Sequence, residues 1–390
     1  MRGVTIPAAD EDFNVDQVEL YFDLAFVFAF SQVVAYLHDL HSYEGIARAA
    51  LIFTLLWMPW SQFTWSANAL SSSSRPIRIF FLIATLATIP VAATVRSAFG
   101  SGGAIFGLAL AVIFLMPNLA YLGSMAPEER RTAMRYGAPA MGSMLIVVIG
   151  GFINGDGRVV AWLIAVMVFA WSTWRAGDVE WLIRSGHFAE RHGLIVIVAL
   201  GEVIVAIGIP VVGRFLDTEG TIESGTLWAL ILSGVFAGLL WWSYFDRLGP
   251  ALEHRVESLE GKSRGRLARD GYTYFHLFIA GGVIMAAAAL EEITLHPAES
   301  LATVWRVLLL IGIASFLLGM VAAVYRAFGV IAKERLIAIG IVAVGLPLMA
   351  DLDGLIVLAV LDLVLLGMLV TEHLRIEGPH ASTQGAPAQA

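Results

Sequence analysis

Val18-Glu19-Leu20-Tyr21-Phe22-Asp23-Leu24-Ala25-Phe26-Val27-Phe28-Ala29-Phe30 is apolar enough to lie within a bilayer, yet it carries two acids near its start. Residues four apart on a helix share a face, so Glu19 and Asp23 stand together one turn apart. Carboxylates on the leading turns of a membrane helix are costly in hydrocarbon and mark either function or tight pairing. This stretch decides the fold because the rest of the chain repeats its character. Hydrophobic residues make up 58% of the 390 positions and charged residues 14%, where a soluble chain carries about a quarter charged. An apolar exterior is the alternative, and it implies a polytopic membrane protein in contact with the lipid bilayer.

Apolar segments fall at about 17–37, 46–69, 77–97, 103–123, 135–153, 158–175, 193–213, 225–246, 272–290, 303–324, 335–350 and 355–374. Breaks such as Ser71-Ser72-Ser73-Ser74-Arg75-Pro76 and Asn154-Gly155-Asp156-Gly157 separate them. The expected fold class is therefore all-α, with about twelve transmembrane helices. Lys and Arg test this division independently: 17 fall in the connections after even-numbered segments and 5 in those after odd-numbered ones. Under the positive-inside rule, both termini and the even connections are cytoplasmic. The expected organisation is a tail (1–16), a six-helix half (17–175), a cytoplasmic linker (176–192), a second half (193–374) and a disordered tail (375–390). The longest connection, about 247–271, reads either as a solvated loop or as a lipid-headgroup contact.

Setting Asp23 on Glu202 needs an offset of 179 residues, and Asn68 on Asp246 an offset of 178. Two halves of six helices would share one orientation, so these offsets are consistent with a parallel repeat.

Composition also excludes chemistry. The chain has no cysteine, which removes disulfides, thiolate metal sites and cysteine nucleophiles. The net charge of −8 and the lack of a basic patch argue against nucleic acid. Both lysines, Lys262 and Lys333, lie in connections, so no mid-membrane lysine can hold a retinal. There is no Walker glycine loop, and no cofactor is expected. The acidic Asp10-Glu11-Asp12 does not read as a cleavable signal peptide. His187, Glu190 and His192 lack the spacing of a known metal motif.

Four acids lie within apolar segments: Glu19, Asp23, Glu202 and Asp362. Glu202, in Ala199-Leu200-Gly201-Glu202, sits roughly 14 Å along its segment at the helical rise. It must be protonated, paired or facing water, which makes it a candidate proton carrier. Gly201 would let a neighbouring helix approach closely. Asp246 ends the eighth segment, and His276 follows Tyr272 by one turn. Glu19, Asp23, Asp246 and His276 fall at comparable depth, so they could line a vestibule with Glu202 at its floor. Each acid also has a plain alternative: Asp23 could pair with an arginine of another helix, Asp246 with Arg247, and Asp362 could be a buried hydrogen-bonding acid. Arg191 is three turns from Glu202, too far to pair with it.

Three stretches resemble the bacterial low temperature requirement A membrane proteins. They are Val18 to Ala29; Glu190-Arg191-His192-Gly193-Leu194 running into Leu200-Gly201-Glu202; and Leu240-Trp241-Trp242 through Tyr244-Phe245-Asp246-Arg247, with Tyr274 and His276 beyond. The resemblance implies a polytopic cytoplasmic-membrane protein whose signature acids fall on Glu19, Asp23, Glu202 and Asp246. His192 stands where that family is expected to carry an aromatic residue. The leading functional expectation is a proton-linked transporter of a small solute. Glu202, Asp23, Glu19, His276 and Asp246 would form its site, with Asp362, Tyr272 and His192 as further candidates. The alternatives are a membrane-embedded lipid-modifying enzyme, or a structural or sensory protein.

Overall fold

A computed structural model of the chain describes residues 14–40, 42–69, 74–125, 127–176, 181–217 and 222–377. The expectations for Asp10-Glu11-Asp12, Ser71 to Ser73 and the tail beyond residue 377 lie outside them. The described residues are overwhelmingly helical: α1 (Gln17–Leu40), α2 (Tyr43–Ala69), α3 (Arg75–Thr94), α4 (Gly103–Ser124), α5 (Pro127–Phe152), α6 (Asp156–Ala176), α7 (Ser185–Asp217), α8 (Ser224–Ser243), α9 (Gly249–Glu257), α10 (Gly261–Ala268), α11 (Phe275–Leu295), α12 (Thr303–Phe328), α13 (Lys333–Leu348) and α14 (Gly354–Glu377). Polar residues start several of them: Asp16 Oδ1 accepts the Val18 N–H at 3.0 Å, and Ser42 Oγ accepts the Gly45 N–H at 3.0 Å. Gly329, at φ +69°, closes α12 in the left-handed conformation.

Among the described residues, nine helical segments are long and apolar enough to cross a membrane. The helices over 43–69, 127–152 and 333–348 fall short. The first is diluted by Trp57, Trp60, Ser61, Gln62, Thr64, Trp65 and Ser66. The second is apolar only over Gly137–Phe152, and the third has only 16 residues.

Two differences from the sequence reading change the picture. The connection expected over 247–271 is helical: α8 runs through a π-helical turn (Tyr244–Leu248) into α9, and α10 runs through another (Arg269–Tyr274) into α11. Leu252, Val256, Leu267 and Ala268 make it so. They bury with Ile183, Phe188 and Tyr272 in a separate apolar cluster, while Lys262 and Arg266 stay exposed and the buried Arg269 donates to the Trp174 carbonyl. The linker expected over 176–192 is likewise partly helical, since α7 begins at Ser185 and carries His187, Glu190, Arg191 and His192.

In the main core, α1 packs on α2, α3, α7 and α11, and α11 packs most extensively on α12. Glycine permits that last contact: a Cβ at Gly282 would stand 2.5 Å from the Gly312 carbonyl oxygen, and one at Gly312 would stand 2.8 Å from the Ala286 nitrogen. Gly201 does not act this way. A Cβ there meets nothing within 4 Å, because that face of α7 points away from the bundle, correcting the expectation of a close helix approach.

Candidate functional site

α1 and α7 run in the same direction and meet along a ladder of polar pairs. At its first rung, His187 Nε2 lies 3.3 and 3.2 Å from the two Glu19 oxygens. One turn on, Arg191 donates from Nη1 to Asp23 Oδ2 at 2.9 Å and from Nη2 to Asp23 Oδ1 at 3.0 Å. Arg191 Nε also stands 3.7 Å from Glu19. At the last rung, Ser31 Oγ lies 2.8 and 2.7 Å from the Glu202 oxygens. The spacing explains the match. Glu19 and Asp23 are four apart, as are His187 and Arg191, so two parallel helices bring acid against base at both levels. All four side chains are buried, and a bidentate Arg–carboxylate pair is the form in which such charges survive burial.

Trp60 joins this ladder to a second shell of rings. Its Nε1 donates to Asp23 Oδ1 at 3.0 Å, and the Arg191 guanidinium lies 5.8 Å from its ring centre. The His192 ring sits 5.2 Å from Trp60, 4.8 Å from Tyr272 and 5.2 Å from His276. His276 Nδ1 faces the Gly271 carbonyl oxygen at 2.8 Å and must donate there, so in the neutral ring Nε2 accepts from the Tyr244 hydroxyl at 2.7 Å. His192 is held likewise by the Phe188 carbonyl at 2.8 Å, and its buried Nε2 has no hydrogen-bond partner among the described residues. The two π-helical turns carry Tyr244 and Tyr272 and set His276 against them, a use of π-turns common at functional positions.

The structure thus brings Glu19, Asp23, His192, Tyr272 and His276 into one buried network. It holds two of the other acids apart. Asp246 is exposed, pairs with Arg247 at 3.3 Å and faces a groove between α8 and α14. Asp362 is buried on α14, and both its oxygens lack a hydrogen-bond partner among the described residues. Glu202 lies on the same α1–α7 seam but deeper, seventeen residues on from Ser185 and roughly 26 Å along the helix. It is 1% exposed, and Ser31 is its hydrogen-bond partner. No cation stands within ion-pair distance of it among the described residues.

Arg191, His187, Trp60, Ser31 and Tyr244 were not picked out as site residues by sequence. Sequence sets Arg191 three turns from Glu202 on its own helix, whereas its partner, Asp23, lies on α1. The available signal was the equal four-residue spacing on two helices of like orientation. The tryptophans of α2 read as packing or interfacial residues, and Trp57 and Trp60 do pack in the main core, where they also donate: Trp57 Nε1 to the Thr273 carbonyl at 2.8 Å.

Comparison with known proteins finds one family and a relative. The sequence pattern of the bacterial low temperature requirement A protein family matches residues 14–370. An uncharacterized protein of Rhizobium meliloti (strain 1021) is 32% identical over 302 residues, covering 73% of this chain and 72% of its own length. No solved structure matches.

Proposed function

The chain belongs to the bacterial low temperature requirement A family and is a multi-pass helical membrane protein, and we propose that it is a proton-linked secondary transporter of a small solute. One observation carries this reading: Glu202 is buried on an apolar helix with a serine hydroxyl as its partner and no counter-ion among the described residues. Such a carboxylate must hold a proton or reach water, and exchange between those conditions is what a proton carrier does. Asp23 differs, because Arg191 already balances it, and it anchors α1 to α7. Protonation of Glu202 would bias which side of the bundle is open.

The finer topology belongs to the same proposal: twelve crossings in the cytoplasmic membrane, both termini cytoplasmic, in two parallel six-helix halves. Helix packing supports the halves. α1 packs on α3 as α7 does on α11; α3 on α4 as α11 on α12; α5 on α6 as α13 on α14; and α2 on α6 as α8 on α14. The parallel α1–α7 ladder agrees, since six crossings, α1 to α6, return the chain to its starting side.

The test is proton flux into proteoliposomes under an imposed pH gradient, assayed with a panel of solutes. Wild type is expected to dissipate the gradient in a solute-dependent way, and Glu202→Gln to remain folded without doing so. Equal flux in the Gln variant would remove Glu202 from the role. A deletion strain with altered membrane lipids and intact solute uptake would favour a lipid-modifying enzyme, with the Tyr244–His276 pair as its acid–base group.

A further inference from the structure

A cavity of about 120 Å³ opens between α2, α4, α5 and α6 on one side and α10 with the second π-helical turn on the other. It therefore falls between the two proposed halves. An apolar cavity of about 150 Å³ is large enough for benzene, so this space suits a single ring. Its wall is mostly apolar, and two indoles offer it ring carbon rather than donors. Trp65 Nε1 is spent on Thr273 Oγ1 at 2.8 Å, and Trp181 Nε1 on the Ala176 carbonyl at 2.7 Å. Met134 and Met141 add thioether chains that adapt to a ring edge. Arg269 is the one charged side chain among the described lining residues, and it is already committed. Its Nε donates to Asp270 at 2.7 Å, Nη1 to the Trp174 carbonyl at 2.6 Å, and Nη2 pairs with Asp270. What remains unspent is amide. The Gln62 side chain has no hydrogen-bond partner among the described residues, and Asn118, whose Nδ2 donates to the Phe114 carbonyl at 2.7 Å, keeps its oxygen to accept.

We propose that this cavity binds an uncharged aromatic alcohol, a single ring bearing a hydroxyl group. The proposal rests on the transport reading and names the class of solute carried. Indole carbon on the wall favours a ring, which gains from edge and face contacts with it. A hydroxyl both donates and accepts, so one group can serve the Gln62 amide and the Asn118 oxygen together. A lipid acyl chain, the rival occupant inside a membrane, would serve neither and would leave an amide facing hydrocarbon. An anion would have to compete with Asp270 for Arg269. The position also gives occupancy a consequence. Trp65 bonds to Thr273, and the Thr173 and Tyr274 hydroxyls meet at 2.6 Å, so the second π-helical turn is tied to α2 and α6. A change in how the halves pack would therefore reshape the cavity.

Fluorine NMR titration of the full-length protein in detergent tests this with 4-fluorophenol as the probe, because partition into micelles is linear whereas a site saturates. Saturable binding to wild type is expected. Gly137→Leu should abolish it: Gly137 lines the cavity, and a Cβ there would meet nothing within 4 Å, so the new side chain fills the space without collision. Gln62→Leu should weaken 4-fluorophenol about three- to tenfold, the worth of one hydrogen bond, and leave fluorobenzene, which lacks the hydroxyl, unchanged. Both variants are checked for a wild-type melting transition. The proposal is overturned if wild type shows no saturable binding, or if either folded variant binds 4-fluorophenol like wild type. Tighter binding of 4-fluorobenzoate would also overturn it, as would competitive displacement of the probe by phospholipid, which would assign the cavity to an acyl chain. Because equilibrium binding needs no flux, the two readings fail separately. Solute-coupled flux without 4-fluorophenol binding removes only this proposal, and binding without flux removes only transport.

Discussion

At the scale of residues, the α1–α7 seam divides its acids into a balanced pair and an unbalanced one. Asp23 holds a bidentate arginine and an indole N–H, so it resembles a structural ion pair. Removing one member of a buried pair strands the other, at about 3–5 kcal/mol. Arg191→Ala should therefore lower the detergent melting transition sharply. Asp23→Asn combined with Arg191→Met should recover part of the loss, since it strands no aspartate and leaves Glu19 its His187 partner. A double variant no more stable than Arg191→Ala would show that the pair is not the source. Trp60→Phe, which deletes the indole donor, should cost roughly 1–3 kcal/mol in the same assay, a donor to a charged group being worth about that much. Glu202→Gln breaks no ion pair and keeps an acceptor for Ser31, so it should melt far closer to wild type than Arg191→Ala does while losing proton flux. A stability loss as large as that of Arg191→Ala would make Glu202 a structural residue instead.

At the scale of elements, glycine and π-helical turns set the geometry, and their effects separate cleanly. Gly282 and Gly312 let the backbones of α11 and α12 touch. An added methyl at Gly282 would collide with main-chain atoms, which cannot rotate away. Gly282→Ala should therefore destabilise the protein by about 1–3 kcal/mol. Gly201→Ala, on an open face of α7, should be neutral or stabilising by about 0.5–1 kcal/mol through helix propensity. Parallel melting curves of the two variants check both statements. The π-helical turns are elements that no apolar pattern announces. They interrupt the continuous rods from Ser224 to Glu257 and from Gly261 to Leu295, and turn Tyr244 and Tyr272 toward His276.

For the whole molecule, the absence of native cysteine provides a clean background for mapping topology. In intact cells, Asp156→Cys should react with an impermeant maleimide, whereas Ser258→Cys should react only after permeabilisation; the reverse pattern would overturn the proposed orientation. The helical, membrane-spanning character of the chain was legible in the sequence. Burying backbone in lipid forces helices, and lipid-facing surfaces force apolar composition, so both leave a local record in every segment. The buried acids were legible too, because an acid inside an apolar run is visible without any neighbour. Their partners were not. Asp23 meets Arg191 across 168 residues of sequence, and Glu202 meets Ser31 across 171. Glu19 and Asp23, taken from sequence as the mouth of a vestibule, are instead closed against His187, Arg191 and Trp60. By itself the sequence determined that this is a helical membrane protein and which of its residues are energetically out of place. Only the tertiary structure decided which of those charges are neutralised and which are left to act, because charge balance depends on distances between helices that no local pattern encodes.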